Sequence, residues 1–399
     1  MDKILFCQFS TNLINKDFSK KEISNIYYSS IWKNRKKDGY FKGKHFWEIP
    51  LWIAEISGLL KKENFKKDLF IIQDLKKAIN YLNKSKADFI LFSCLEVNKA
   101  FIMEIIKAYK GKGKIILGGY TDLTPFKKFN NVFTFESLKD FATFLNIPYA
   151  YDLDFSLFKN YKIIPRLNLS SGCLNHCKFC SIEKNIKEKS KREIIKQVRA
   201  FKDLKFKLIY LNDKTFFQAK NHYLLKSIYR KIKKYNPDFK GFIIQTTATA
   251  ILKHSDKLKD LKIYACEIGI ESFNNEILKD LNKPINEKIV ITAIEKLKAL
   301  EVKIIPNFII GFIQENKKTY LKTLSFIKTY LKDFFILNIY NLAIYQNTDL
   351  SKEIKIDNEN DLNELIQDKT FYNAIQKKNN SFFYNQIFKL GLKVLNNHE

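Results

Sequence analysis

A chain of 399 residues, 46% of them apolar, is long enough to bury a large core and too long for one ordinary domain, and its six cysteines do not form a secreted disulfide framework. The formal net charge of +28 points toward a polyanion such as nucleic acid. Only five of the 70 basic residues are arginine, however, and the abundant Lys, Asn, Ile and Phe share A/T-rich codons, so a biased genome supplies the charge equally well. With no run of eighteen uncharged apolar residues and no signal-like start at Met1-Asp2-Lys3, the expectation is a cytoplasmic protein without a membrane span.

The first part alternates strand and helix patterns. Strands are predicted over Lys3–Phe9, Asp68–Gln73, Ala87–Leu95, Lys114–Tyr120 and Val132–Phe135. Helices fit Ile49–Leu60, Leu75–Asn83, Lys99–Tyr109 and Ser137–Leu145. The run Ala87–Leu95 is largely apolar, as a central parallel strand must be when both faces are covered. This alternation predicts a doubly wound, Rossmann-like α/β domain over residues 1–154, with its ligand at the carboxyl ends of the strands. A connector with little periodicity, Tyr149–Asp154, follows.

Beyond it the βα pattern resumes. Strands fit Arg166–Leu169, Leu208–Leu211, Phe242–Thr246, Ile263–Ile270, Ile304–Ile310 and Phe335–Ile344. Helices fit Arg192–Leu204, Tyr223–Tyr235, Ser255–Leu261, Glu287–Glu301 and Lys318–Lys332. Six such units without a hairpin signal predict a partial (β/α)6 barrel of the TIM type over residues 155–350, with chemistry at the strand C-termini. From Ser351 the chain is polar with helical tendency, a C-terminal helical extension over 351–399 to which no chemistry is assigned.

Three of the six cysteines fall in one short loop after the first barrel strand: Cys173, Cys177 and Cys180, at C-x3-C-x2-C spacing. A few residues of loop let three sulfurs reach one centre, and soft thiolates favour an iron-sulfur cluster or zinc. His176 inside the loop offers zinc a fourth ligand, although closed zinc sites usually pair two separated short motifs and no second one is present. Cys7, Cys94 and Cys266 lie on strand patterns, where a buried inert thiol is the default.

The spacing, the strand before it and Phe179 just before the third cysteine resemble the radical S-adenosylmethionine (SAM) superfamily. The resemblance implies that Cys173, Cys177 and Cys180 hold three irons of a [4Fe-4S] cluster. The fourth iron is then left for the amino and carboxylate groups of S-adenosylmethionine, which is cleaved reductively to a 5′-deoxyadenosyl radical. It also implies a reducing donor such as flavodoxin or ferredoxin, and oxygen sensitivity. Other stretches match at the expected strand ends. Leu211–Phe216 brings Asp213, and Glu267–Ser272 resembles a Gly-x-Glu-Ser segment in which Glu271 and Ser272 contact the cofactor. Asn307–Glu315 resembles the fifth-strand segment in which backbone near Ile309 and Gly311 approaches the adenine, although Ile313 stands where relatives commonly have Pro. Leu342–Leu350 is similar to a degraded sixth-strand segment. Phe179 would shape the adenine end through its backbone.

The N-terminal domain resembles the cobalamin-binding-like domain of many such proteins at Pro50-Leu51, Phe92-Ser93 and Leu117–Tyr120. It lacks the D-x-H-x-x-G motif that supplies a histidine to cobalt, and His45 is the sole histidine before the barrel. The implied function is a radical SAM enzyme that performs cobalamin-dependent methylation of an unactivated carbon. Two alternatives stay open: a transfer RNA methylthiotransferase, and a zinc-stabilised nucleic-acid-binding protein without catalysis. The substrate is not readable from the sequence.

Overall fold

The computed structural model describes residues 1–10, 13, 50–119, 121–150, 152–161, 164–312, 314–342, 348–353, 386–387, 389–390 and 392–393. These fall into two compact units. One runs to Pro165 and includes Gln197–Phe206; the other holds Arg166–Lys196 and the chain from Lys207 onward.

The first unit is a five-stranded parallel sheet with strands β1 (Asp2–Phe9), β2 (Phe65–Ile72), β3 (Phe89–Cys94), β4 (Lys114–Gly119) and β5 (Val132–Thr134). Their order is β2-β1-β3-β4-β5, a doubly wound arrangement whose direction of growth reverses between β1 and β3. Helices α1 (Leu51–Leu59), α2 (Leu75–Lys84), α3 (Glu96–Ala108) and α4 (Leu138–Phe144) supply the crossovers. Local chemistry sets their starts: Pro50 precedes α1, the Asp74 carboxylate accepts from Lys77 N, and the Ser137 hydroxyl accepts from Asp140 N. Ile4, Leu5, Phe6 and Cys7 on β1 are all buried, which is why that strand reads as a continuous apolar run. The connector is tied to the first unit: Asp154 accepts from Lys67 Nζ at 2.6 Å and from Ser57 Oγ at 2.8 Å.

The second unit is a six-stranded parallel sheet ordered β13-β12-β11-β10-β9-β6. Its strands are β6 (Arg166–Leu167), β9 (Leu208–Leu211), β10 (Gly241–Thr246), β11 (Ile263–Glu271), β12 (Lys303–Ile310) and β13 (Asn338–Asn341). Sequence neighbours are sheet neighbours throughout, as repeated βα units in a curved sheet require. Helices α5 (Lys191–Ala200), α6 (Leu225–Lys233), α7 (Ala248–Asp260), α8 (Asn275–Asp280), α9 (Glu287–Ala299) and α10 (Lys317–Thr329) connect them, and a short α11 (Asp349–Glu353) follows β13.

Four details differ from the sequence pattern. A small antiparallel pair, β7 (Ser170–Ser171) with β8 (Lys187–Glu188), interrupts the parallel series around the cysteine loop. The helix predicted from Ser255 begins at Ala248, capped by the Thr247 hydroxyl, and carries a non-helical residue at His254, which broke the apolar spacing. Helix α8 was not anticipated. The predicted strand Phe335–Ile344 is β13, Asn338–Asn341, among the described residues, and the buried Ile336 and Leu337 that extended the apolar pattern precede it. Tyr120, Ile313, Ala343–Asn347 and most of 354–399 lie outside the described residues, as does His45. Among the described residues no helix is long and apolar enough to cross a membrane.

Candidate functional site

The cysteine loop leaves the C-terminal end of the first strand of the six-stranded sheet. The β7–β8 pair closes its two ends like a clasp, with Ser170 opposite Glu188 and Ser171 opposite Lys187. Gly172 enters the loop at φ +86°, and a Cβ there would lie 1.6 Å from Asn185 O, so only glycine fits. Inside, Cys173 N donates to Glu183 O at 2.9 Å and Cys180 N to Cys177 O at 3.1 Å. Other elements pin the outside. Leu174 N donates to Gln218 Oε1, Lys178 N to Leu281 O, and Asn282 Nδ2 to His176 O, while Lys178 O accepts from Leu350 N. The loop's shape is therefore written by the segment after β9, the end of α8 and the start of α11 as well as by its own sequence.

Cys173 and Cys177 are buried and Cys180 is half-buried, and all three are free thiols. Cys173 Sγ sits 3.2 Å from Thr215 Oγ1 and takes the Asn175 N–H at 3.4 Å. Burial pushes the Cys177 thiol up, and the charge of Lys283 pulls against it. His176, the fourth ligand a zinc site would use, is exposed. Among the described residues no three His, Cys, Asp or Glu side chains stand close enough to hold one metal ion.

Beside the thiols lies a buried ion pair. Lys283 Nζ bonds Glu271 Oε1 at 2.5 Å, with both side chains under a tenth exposed. Burial alone would push the Lys283 ammonium down; the charges of Glu271 and Cys177 outweigh it and hold the ammonium above its ordinary value. Glu271 ends β11 at φ +65°, a left-handed conformation that turns the strand out of the sheet. Gly269 leaves room for the pair, since a Cβ there would meet Glu271 Oε1 at 2.4 Å and Lys283 Nζ at 2.9 Å. Next to it the Ser272 Oγ is buried with no partner among the described residues. A buried hydroxyl left open costs stability and is suited to a ligand's polar group.

The remaining sequence candidates divide into two groups. Phe179 and Ile309 pack on one apolar cluster with Ile277, Leu281, Phe312, Leu342 and Leu350, so the structure brings the loop and the end of β12 together. Gly311, at φ +106°, is held by Glu315, whose Oε2 accepts from Gly311 N at 2.7 Å and Phe312 N at 3.1 Å. Burial pushes the Glu315 carboxyl up to about 7 against those hydrogen bonds. Asp213 stands apart from that cluster: its carboxylate takes the Ser170 hydroxyl and Leu169 N, tying β9 to β7, and burial pushes it up to about 6.

Sequence reasoning missed the concave face of the sheet. There Tyr210 hydroxyl donates to Glu267, Asn338 Nδ2 donates to Glu267 Oε1 at 2.7 Å and to Asn307 Oδ1 at 2.9 Å, and Arg166 donates to Asn212 Oδ1 at 2.8 Å. It also missed Lys283, Thr215 and Glu315. Glu315 alone carried a signal, an acidic residue four positions after Gly311.

The radical SAM superfamily model matches residues 167–327, the stretch that holds the cysteine loop and strands β9–β12. That stretch of the chain is similar to a radical SAM domain. Proteins of this superfamily are enzymes that work with a [4Fe-4S] cluster and S-adenosylmethionine, and the three free thiols, with His176 exposed, fit the cysteine side of such a cluster. A proposed methylthiotransferase of Methanocaldococcus jannaschii is 29% identical over 179 residues, 41% of this chain and 39% of that protein. The chain thus spans well under half the length of that relative. Among solved structures, the cobalamin-dependent S-adenosylmethionine radical enzyme OxsB, with aqua-cobalamin and S-adenosylmethionine bound, superposes with a TM-score of 0.56. It is 16% identical, and the match covers 94% of this chain and 56% of that one. The radical S-adenosylmethionine methyltransferase TsrM from Kitasatospora setae, bound to tryptophan and a cofactor analogue, gives a TM-score of 0.59 at 11% identity. That match covers 89% of this chain and 76% of TsrM. At these identities the likeness is one of fold, a doubly wound domain followed by a radical SAM barrel.

Proposed function

We propose that this chain cleaves S-adenosylmethionine reductively and directs the result to cobalamin-dependent methylation of an unactivated carbon. In this reading residues 155–350 are the catalytic barrel, 1–154 the cobalamin-binding-like domain and 351–399 an extension. The observation that carries it is the clasped loop with its three free thiols. A cluster held there by Cys173, Cys177 and Cys180 would supply an open iron for the cofactor's amino acid end and the electron for its cleavage. The chain's own residues then have definite tasks. Glu271, fixed by Lys283, and the open Ser272 hydroxyl offer polar contacts to the cofactor. Glu315 holds the Gly311 turn so that backbone near Ile309 and Gly311 can face an adenine. Phe179 and Phe312, with ring centroids 6.0 Å apart, keep water from that end. Asp213 acts as a brace for the strand that launches the loop, and contributes to the cofactor only through it.

The test is anaerobic reconstitution with iron and sulfide, followed by measurement of bound iron and of 5′-deoxyadenosine with dithionite or reduced flavodoxin. Wild type should bind about four irons, and Cys177→Ala should lose both cluster and product. Unchanged turnover in that variant would end the proposal. The cobalamin half is separate, and desalting after incubation with hydroxocobalamin tests it by the cobalamin retained.

The Methanocaldococcus relative favours a second reading, a methylthiotransferase, for which the net positive charge of the chain suggests transfer RNA as the substrate. Such a reaction in this superfamily generally draws on a second three-cysteine cluster. Here Cys7 and Cys94 are two thiols sealed in the core, and burial pushes Cys7 far above the thiol range. Salt-sensitive RNA binding together with iron beyond one cluster would favour that reading over methylation.

A further inference from the structure

The segment that follows α8 runs along the cysteine loop. Leu281 O accepts from Lys178 N at 3.1 Å and Asn282 Nδ2 donates to His176 O at 2.8 Å, so the residues on both sides of Cys177 are tied to consecutive residues of this segment. Asn282 stands at φ +53°, a left-handed turn that asparagine tolerates. The residue after it is Lys283. Lys283 N donates to Leu278 O at 2.9 Å, Lys283 O accepts from Ile285 N at 2.8 Å, and Pro284 O accepts from Thr249 Oγ1 on α7, so the backbone at this point is fixed from several sides. The ammonium ends on Glu271, and only 8% of the Lys283 side chain is exposed.

The thiols beside it are provided for unequally. Cys173 Sγ has Thr215 Oγ1 at 3.2 Å and Asn175 N at 3.4 Å. The Cys177 sulfur has no hydrogen-bond donor among the described residues. What acts on it instead is charge. Lys283 and Glu271 form a pair, but at Cys177 the pull of Lys283 exceeds the opposing push of Glu271, so the two do not cancel there. A charge held in a dry interior acts far more strongly than one that water surrounds. Lys178 shows the contrast: it adjoins Cys177 in the chain, yet its ammonium is partly exposed and shared between Asp280 at 3.6 Å and Glu353 at 2.6 Å.

We propose that Lys283 acts on the cluster through Cys177, as a fixed buried cation that raises the potential at which the cluster accepts an electron. One-electron reduction adds a negative charge behind the thiolates, and a cation set beside one of them favours the reduced form over the oxidised one. The electron comes from an external donor, dithionite or a reduced flavodoxin, and no bond or proton is exchanged. Lys283 is thus a positioning residue with a task beyond holding Glu271. The inference rests on the function proposed above for the presence of a cluster at these thiols.

A redox titration of the anaerobically reconstituted full chain, read by the EPR signal of the reduced cluster, decides it. Lys283→Met alone strands Glu271, so the first variant is Lys283→Met/Glu271→Gln, which removes both charges together. Its midpoint should move to lower potential, with a reduced-to-oxidised ratio about tenfold below wild type at the same applied potential, or 59 mV for one electron. Lys283→Gln, which keeps a donor for Glu271 but leaves the carboxylate charge alone, should move it at least as far. Lys283→Arg should keep most of the wild-type value, and Lys178→Met should leave it as it is. Poor folding lowers the amplitude of the signal and not its midpoint, so a loss of stability does not mimic the result. A wild-type midpoint in both neutral variants, or an equal fall in Lys283→Arg or Lys178→Met, would overturn the proposal. If wild type binds no iron, this inference and the radical reading fall together. If a cluster binds and its potential follows the Lys283 charge while no 5′-deoxyadenosine forms, the radical reading alone falls.

Discussion

The two parallel sheets of this chain use the same βα grammar and spend their interiors differently. In the first unit the strand ends at the β1/β3 reversal are filled by aromatic side chains: Phe9 packs on Phe92 and Phe101, with centroids 6.0 Å apart in each case. Its Gly118-Gly119 pair looks like a ligand-approach signal, yet Gly119 is required by the backbone, since a Cβ would lie 1.9 Å from Cys94 O. In the second unit the corresponding space is polar, and its glycines open room for a clasped thiol loop and a buried ion pair. A glycine therefore serves backbone packing at Gly119 and Gly241 and makes room for polar groups at Gly172 and Gly269. Its neighbours across the strands decide which.

The sharpest way to break this comparison is a pair of glycine substitutions. Gly172→Ala should abolish iron binding, because the loop cannot close around a Cβ. Gly119→Ala should lower the melting temperature yet leave the iron content per folded chain unchanged. Equal iron loss in both would mean that the two sheets are not functionally distinct. Next in size is Lys283→Met, which strands Glu271 as an uncompensated buried charge and should cost about 3–5 kcal/mol in urea unfolding, with Lys283→Arg milder. Tyr210→Phe leaves a Glu267 oxygen short of a donor and should cost about 1–3 kcal/mol.

A smaller effect belongs to the connector of the first unit. Burial pushes the Asp154 carboxyl up, but hydrogen bonds from Lys67, Ser156 and Ser57 outweigh it and bring it down to about 2. A depressed carboxylate contributes stability above its unfolded value near 3.8 and loses it as pH falls toward 2. Asp154→Asn should flatten acid unfolding in that window, by about 2 kcal/mol at most. The smallest change is expected for Cys7→Ala, about 1 kcal/mol with unaltered iron, since it removes only one buried sulfur.

The strand and helix alternation was legible because βα units repeat with regular apolar periods, and the thiol loop because three cysteines in eight residues are conspicuous. What stayed hidden depends on contacts far apart in sequence. Lys283 is one lysine among dozens until folding sets it on Glu271. Tyr210 and Glu267 are 57 residues apart and meet only across a curved sheet. The β7–β8 pair has two residues on each side, too few for any alternation to register, and α8 at six residues is too short for a helical period.

That two-residue clasp bears on how the protein is made. It and the hydrogen bonds that join Leu174, His176 and Lys178 to Gln218, Asn282, Leu281 and Leu350 hold the ends and the outside of the loop. Closing such a ring costs conformational entropy, and these contacts offset part of it as the chain folds. The path of the loop is thereby tied to the folding of the whole six-stranded sheet, so a change at Gln218, Asn282 or Leu350, far from the thiols in sequence, reaches them through the loop.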